Sequence, residues 1–78
     1  MKYYVVKSCV MMNGLLEVNY GIVMVDKDGN RDYCCDISDK LMDMELLVHE
    51  LNGYRVESQQ AREIIEDFKF KKAFESHT

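Results

Sequence analysis

Four groups of residues in this 78-residue chain have side chains of the kinds that do chemistry. They are the acidic run Asp26-Lys27-Asp28-Gly29-Asn30-Arg31-Asp32, the vicinal thiols Cys34 and Cys35, His49 with Glu45 and Glu50, and the acid pair Glu66-Asp67. The first resembles a calcium loop, because a hard cation takes alternating Asp and Asn oxygens. An EF-hand, however, places glycine sixth and a bidentate Glu twelfth. Here Gly29 is fourth from Asp26, and the twelfth residue is Ile37. The run therefore reads as a turn.

Adjacent strand residues point to opposite faces, so Cys34 and Cys35 cannot easily chelate one ion. No histidine lies near either thiol in sequence to act as the base that nucleophilic catalysis needs. His49 beside one or two carboxylates reads as a solvated helix residue with an i,i+4 neighbour. Glu66 and Asp67 read as a solvated helix face, since an acid and a base need opposed environments. The chain has no phosphate loop, nucleophile elbow or zinc spacing. No catalytic residue, cofactor or metal is expected.

These residues must be positioned by a single small domain, because 78 residues leave no room for two cores. A chain of this length buries only about 60% of the surface its unfolded state exposes, so oligomerisation is a natural source of further stability. A composition of 47% hydrophobic and 31% charged residues favours folding over disorder. The net charge of -4, with a pI near 5.0, disfavours nucleic acid. The basic cluster Lys69, Lys71 and Lys72 fits a helix C-terminus, where cations match the dipole. No signal peptide or membrane span is legible. Three cysteines, an odd number, suit reduced thiols in a bacterial cytoplasm.

Periodicity predicts strands over about residues 2–11, 15–25 and 30–37, and helices over about 39–52 and 58–72. The result is an α+β fold, a three-stranded antiparallel β-meander followed by two α-helices packed on one face. Asn13-Gly14 signals the first hairpin. A two-residue loop would place Lys7 opposite Tyr20 on the core face. A three-residue loop, Met12-Asn13-Gly14, pairs Val10 with Leu16, Val6 with Tyr20 and Tyr4 with Ile22, and is the register expected. A four-residue turn over Asp26 to Gly29 then brings Tyr33 to Ile22 and Cys35 to Tyr20, with Cys34 facing away.

In the first helix Leu41, Met44, Leu47, Val48 and Leu51 form one stripe. Ser38 or Asp39 is placed to cap it, and Asn52-Gly53 to end it with Gly53 left-handed. In the second, Ala61, Ile64, Ile65 and Phe68 form the stripe, with Ser58 as the N-cap. Residues Glu75 to Thr78 are expected to be disordered.

This register leaves an apolar outer sheet face of Tyr3, Val5, Met11, Leu15, Val23 and Val25, with no third layer to cover it. Such a patch usually marks an interface. The expected function is a protein-interaction or regulatory module without catalytic activity, self-associating as a homodimer or taking a protein partner. The outer face and the exposed edge of the first strand are both open as the contact. The rival reading is a small enzyme or ligand binder with a site between sheet and helices, built from Tyr20, Tyr33, Cys35 or His49.

Several short segments add a resemblance. Tyr20-Gly21-Ile22, Asp36-Ile37-Ser38, Leu47 to Asn52 and Ile64-Ile65-Glu66-Asp67-Phe68 resemble the recurrent segments of a family of small uncharacterised proteins from clostridia and related Firmicutes, a domain of unknown function. The segments span most of residues 15 to 70, and none is a catalytic signature. The family often has proline just inside the second helix, where this chain has Gln59, and a more polar first strand. The resemblance implies a fold and a bacterial cytoplasmic setting, with no activity or ligand.

Overall fold

In the computed structural model, described over residues 1–75, three strands precede two helices: β1 (Lys2–Met12), β2 (Leu15–Val25), β3 (Arg31–Ser38), α1 (Leu41–Gly53) and α2 (Ser58–Glu75). The sheet is an antiparallel meander in the order β1-β2-β3, and the α+β fold is the one the periodicity implies. Of the terminal stretch expected to be disordered, Glu75 belongs to α2, and residues 76–78, His77 among them, lie outside the described residues. The core sits between sheet and helices. Ile22 and Met24 of β2, with Tyr3 of β1, meet Met44, Leu47 and Leu51 of α1 and Ala61 and Ile65 of α2.

Both loops differ from the expected lengths by one residue, and each difference turns a strand over. The first loop has two residues, Asn13 and Gly14, with φ of 54° and 78°. Positive φ at both positions is the type I′ turn, whose twist matches that of the flanking strands. Met12 therefore pairs with Leu15, Lys7 with Tyr20, Val5 with Ile22 and Tyr3 with Met24. The odd-numbered residues of β1 share the core face. Lys7 is tolerated there because it is exposed, at the margin of the area that the helices cover.

The second loop has five residues. Asp26 donates its N–H to the Asn30 carbonyl, and its own carbonyl accepts from the Gly29 N–H. Asp26 Oδ1 accepts from the N–H groups of Asp28 and Asn30, each at 2.9 Å, and Oδ2 accepts from Asn30 Nδ2 at 3.1 Å. Val25 consequently pairs with Arg31 and Ile22 with Cys34. Cys34 is on the core face and half-buried, whereas Cys35 is exposed, the reverse of the expected order.

Beyond Cys34 the register breaks. Tyr20 pairs with Ser38, so Gly21 spans a stretch in which β3 has three residues, and Asp36 there has φ of 56°. This bulge returns Ile37 to the core and brings the β3 backbone down onto Gly21. A Cβ at Gly21 would lie 2.3 Å from the Cys34 carbonyl oxygen. A glycine in mid-strand is often the mark of such an approach.

Helix α1 begins after Lys40, whose N–H donates to Ser38 Oγ at 3.1 Å, and no side chain caps its first turn. Its C-terminus is a Schellman motif. The Val56 N–H donates to the Leu51 carbonyl and the Arg55 N–H to the Asn52 carbonyl. The left-handed residue is Arg55, with φ of 52°, in place of the expected Gly53. Leu51 and Val56, the apolar pair of that motif, are both buried, and their burial sets where the chain turns. In α2 the Glu57 carbonyl accepts the Ala61 N–H, so the N-cap is Glu57, one residue ahead of the expected Ser58. Ile65 is buried and Phe68 half-buried, while Ile64 and Phe70 are exposed.

Candidate interaction surface

The corrected register moves most of the expected interface. Tyr3 is 1% exposed, and its hydroxyl donates to the Val56 carbonyl. Burial, and secondarily the negative charge of Glu57, hold that hydroxyl's pKa above the ordinary value. Val5 packs on the core. Val23 does face outward, yet it is buried, flanked in register by Tyr4 and Tyr33, and Val25 is half-buried. Of the six residues only Met11 and Leu15 are exposed, at 67% and 70%. They belong to a different feature, the far end of the β1–β2 hairpin.

That end projects as a two-stranded ribbon, because β3 pairs with β2 only from Tyr20 to Val25. One face carries Cys9, Met11, Leu16 and Val18 and the other Val10, Met12 and Leu15. From Cys9 to Val18 the sole charged residue is Glu17. Leu16 is 62% exposed, and Val10 and Met12 are about half exposed. This end is hidden when two helices are expected to cover one whole face of the sheet. The run of apolar residues on both sides of Asn13-Gly14 was the available signal.

Among the described residues, the edges of the ribbon are also open. Asn52 lies against β1 at Tyr3, where its Oδ1 accepts the Tyr3 N–H at 3.0 Å and its Nδ2 donates to the Tyr3 carbonyl at 2.9 Å. These two bonds are those a neighbouring strand would make, so the amide closes the edge there. They also show that the backbone groups of Tyr3 point away from β2. By the alternation of an antiparallel ladder, those of Val5, Lys7, Cys9 and Met11 do the same. On the β2 side the groups of Leu16 and Val18 are left beyond the end of β3.

A groove of about 880 Å³ runs beside that short β2 edge, lined by Glu17, Val18, Asp36, Asp39, Lys40 and Lys69 among others. Its charges are mixed in sign. Lys72, also on its wall, pairs with Asp43 of α1 at 2.6 Å and lies 5.7 Å from the Phe68 ring centroid. Arg62 of α2 pairs with Asp32 of β3.

The side chains weighed for chemistry do not converge. Tyr20 packs against the core, Tyr33 is on the opposite face of the sheet, and Cys35 and His49 are exposed. The carboxylate of Asp26 is occupied with its own turn, and the backbone N–H of Asn30, first among those donors, holds its pKa below the ordinary value. Burial raises the Cys34 thiol's pKa; Lys69 opposes the shift, and Cys35 and Glu66 add to it. Among the described residues no three His, Cys, Asp or Glu side chains come together to hold a metal ion. No helix among them is long and apolar enough to cross a membrane. Comparison with known proteins finds no matching family model, no similar curated protein and no similar solved structure.

Proposed function

We propose that this chain is a small protein-interaction module whose contact surface is the projecting end of the β1–β2 hairpin. The observation that carries this reading is the ribbon from Cys9 to Val18, apolar on both faces and extending past β3. A two-stranded hairpin is marginal in water by itself, and a partner that covers its faces would stabilise it. The exposed side chains of Val10, Met11, Met12, Leu15 and Leu16 present on the order of 500 Å² of apolar surface, divided between the two faces of the ribbon. A bacterial cytoplasmic setting and membership of the clostridial family of small uncharacterised proteins belong to the same reading, which assigns the chain no nucleic acid, membrane or cofactor.

Site-specific photo-crosslinking in the cells that make the protein tests it. A photoreactive residue at Leu15 should give discrete protein adducts that the same residue at Ile64, exposed on α2, does not give. Equal adduct patterns at the two positions would refute it.

A further inference from the structure

We infer that the partner is a second copy of this chain, joined along the β1 edge so that residues Tyr4 to Met12 pair antiparallel with the same residues about a two-fold axis at Ser8. This rests on the hairpin-end reading above and names the occupant. Three observations select it. The first is where the edge is open. Asn52 closes β1 at Tyr3, and the turn at Asn13 ends it, so the free stretch is Tyr4 to Met12. The midpoint of that stretch is Ser8, and a two-fold there pairs the whole open edge with itself. The β2 edge offers only the groups of Leu16 and Val18, beside the walls of the groove.

The second observation is the match of side chains in that register. On the outer face Tyr4 meets Met12 of the second copy, Val6 meets Val10, and Ser8 meets Ser8. On the core face Val5 meets Met11 and Lys7 meets Cys9. Cross-strand pairs of aromatic, β-branched and Met side chains are favourable, and like charges directly opposite are not. A shift of the axis to Lys7 would set the two lysines against each other. A shift to Cys9 would set Ser8 against Val10 and leave Tyr4 and Val5 without strand partners.

The third is charge. The chain carries -4, yet Tyr4 to Met12 includes only Lys7 and the facing stretch of β2 only Glu17. Two acidic chains therefore meet along an edge that carries no negative charge. The two-fold leaves both core faces on one side of a continuous six-stranded sheet, because residues of the same parity meet. Lys7, the one cation between Tyr4 and Met12, guards that edge in an isolated monomer.

Cysteine trapping tests the register. Positions 8 and 8 of the two copies are directly opposite and within disulfide reach, whereas positions 10 and 10 are offset by four residues and are out of reach. In a Cys9→Ser background, mild oxidation should link Ser8→Cys chains through residue 8 and leave Val10→Cys chains unlinked. Sedimentation at on the order of 100 μM should show a dimer, and Cys9→Lys, which opposes a lysine to Lys7 of the second copy at two places, should weaken it about tenfold. Circular dichroism confirms that each variant is folded, and Cys9 makes no intrachain demand because it is exposed. Equal trapping at positions 8 and 10, or a Cys9→Lys dimer as tight as the parent, would overturn the inference. A monomeric parent would overturn it too. In that case, adducts at position 15 with a different protein would leave the interaction-module reading standing, and the absence of adducts there would remove both.

Discussion

Replacing Gly21 with alanine should destabilise this protein more than alanine normally does in a strand, and the reason is a single close approach. The added Cβ would lie 2.3 Å from the Cys34 carbonyl oxygen and 3.0 Å from the Cys35 Cα, both backbone atoms, where ordinary contact begins at 3.4 Å. No rotamer change relieves this, so the β3 backbone must retreat by about 1 Å. Its freedom to do so is small. Cys34 is held to Ile22 on one side of the bulge, and Ser38 is paired with Tyr20 on the other. Overpacking costs about 1–3 kcal/mol even where side chains can give, so the expected cost here is about 3 kcal/mol. For a domain of this size that lowers Tm by roughly 12–24 °C.

The assay is thermal unfolding by circular dichroism, with Gly53→Ala as the control. Gly53 has open space around its Cβ position and helical surroundings, so the same change there should raise stability by about 0.4–1 kcal/mol. Opposite signs at the two glycines are the expected result. A Gly21→Ala protein that melts within about 3 °C of the parent would refute the bulge geometry on which the placement of Cys34, Ile37 and Ser38 depends.

Arg55→Gly should stabilise the chain by about 1 kcal/mol, because a left-handed non-glycine residue ends α1; urea denaturation with an unchanged m-value checks this. Under native conditions an alkylating reagent should modify Cys9 and Cys35 well before Cys34, which is half-buried and has a raised thiol pKa; mass spectrometry of partially labelled protein reads the order. Stability should fall in alkali. Tyr3 and Cys34 both have folded pKa values above the unfolded ones, near 10 and 9. The unfolded chain therefore releases these protons first, and stability declines as pH rises from about 9 upward. Tyr3→Phe should flatten the portion above about pH 10, as melts across that range would show.

The kinds of element and their order were legible in the chain itself. Alternation of apolar and polar residues over Leu15 to Val25, the change to a 3.6-residue period after Ser38 and the Asn13-Gly14 turn are local signals, each set by interactions within a few residues. The core residues of β2 and the helices followed from the same periods: Ile22, Met24, Leu47, Leu51 and Ile65 are buried as those periods imply. The faces of β1 and β3 were not legible. Strand parity inverts with one residue of loop length, and two-residue and five-residue loops stood where three and four were expected. A two-residue first loop puts Lys7 on the core face, which in the sequence alone speaks against it. Only the tertiary structure shows that the helices stop short of that position, so the same face is core at Tyr3 and solvent at Lys7. The carboxylate of Asp26 reaching to Asn30, the amide of Asn52 closing the edge at Tyr3, 49 residues away, and the choice of Arg55 over Gly53 for the left-handed turn were likewise decided by which groups the packed chain brings together. The candidate surface is the product of both. Its apolar composition is written in residues 9–18, and its exposure follows from β3 and the helices ending where they do.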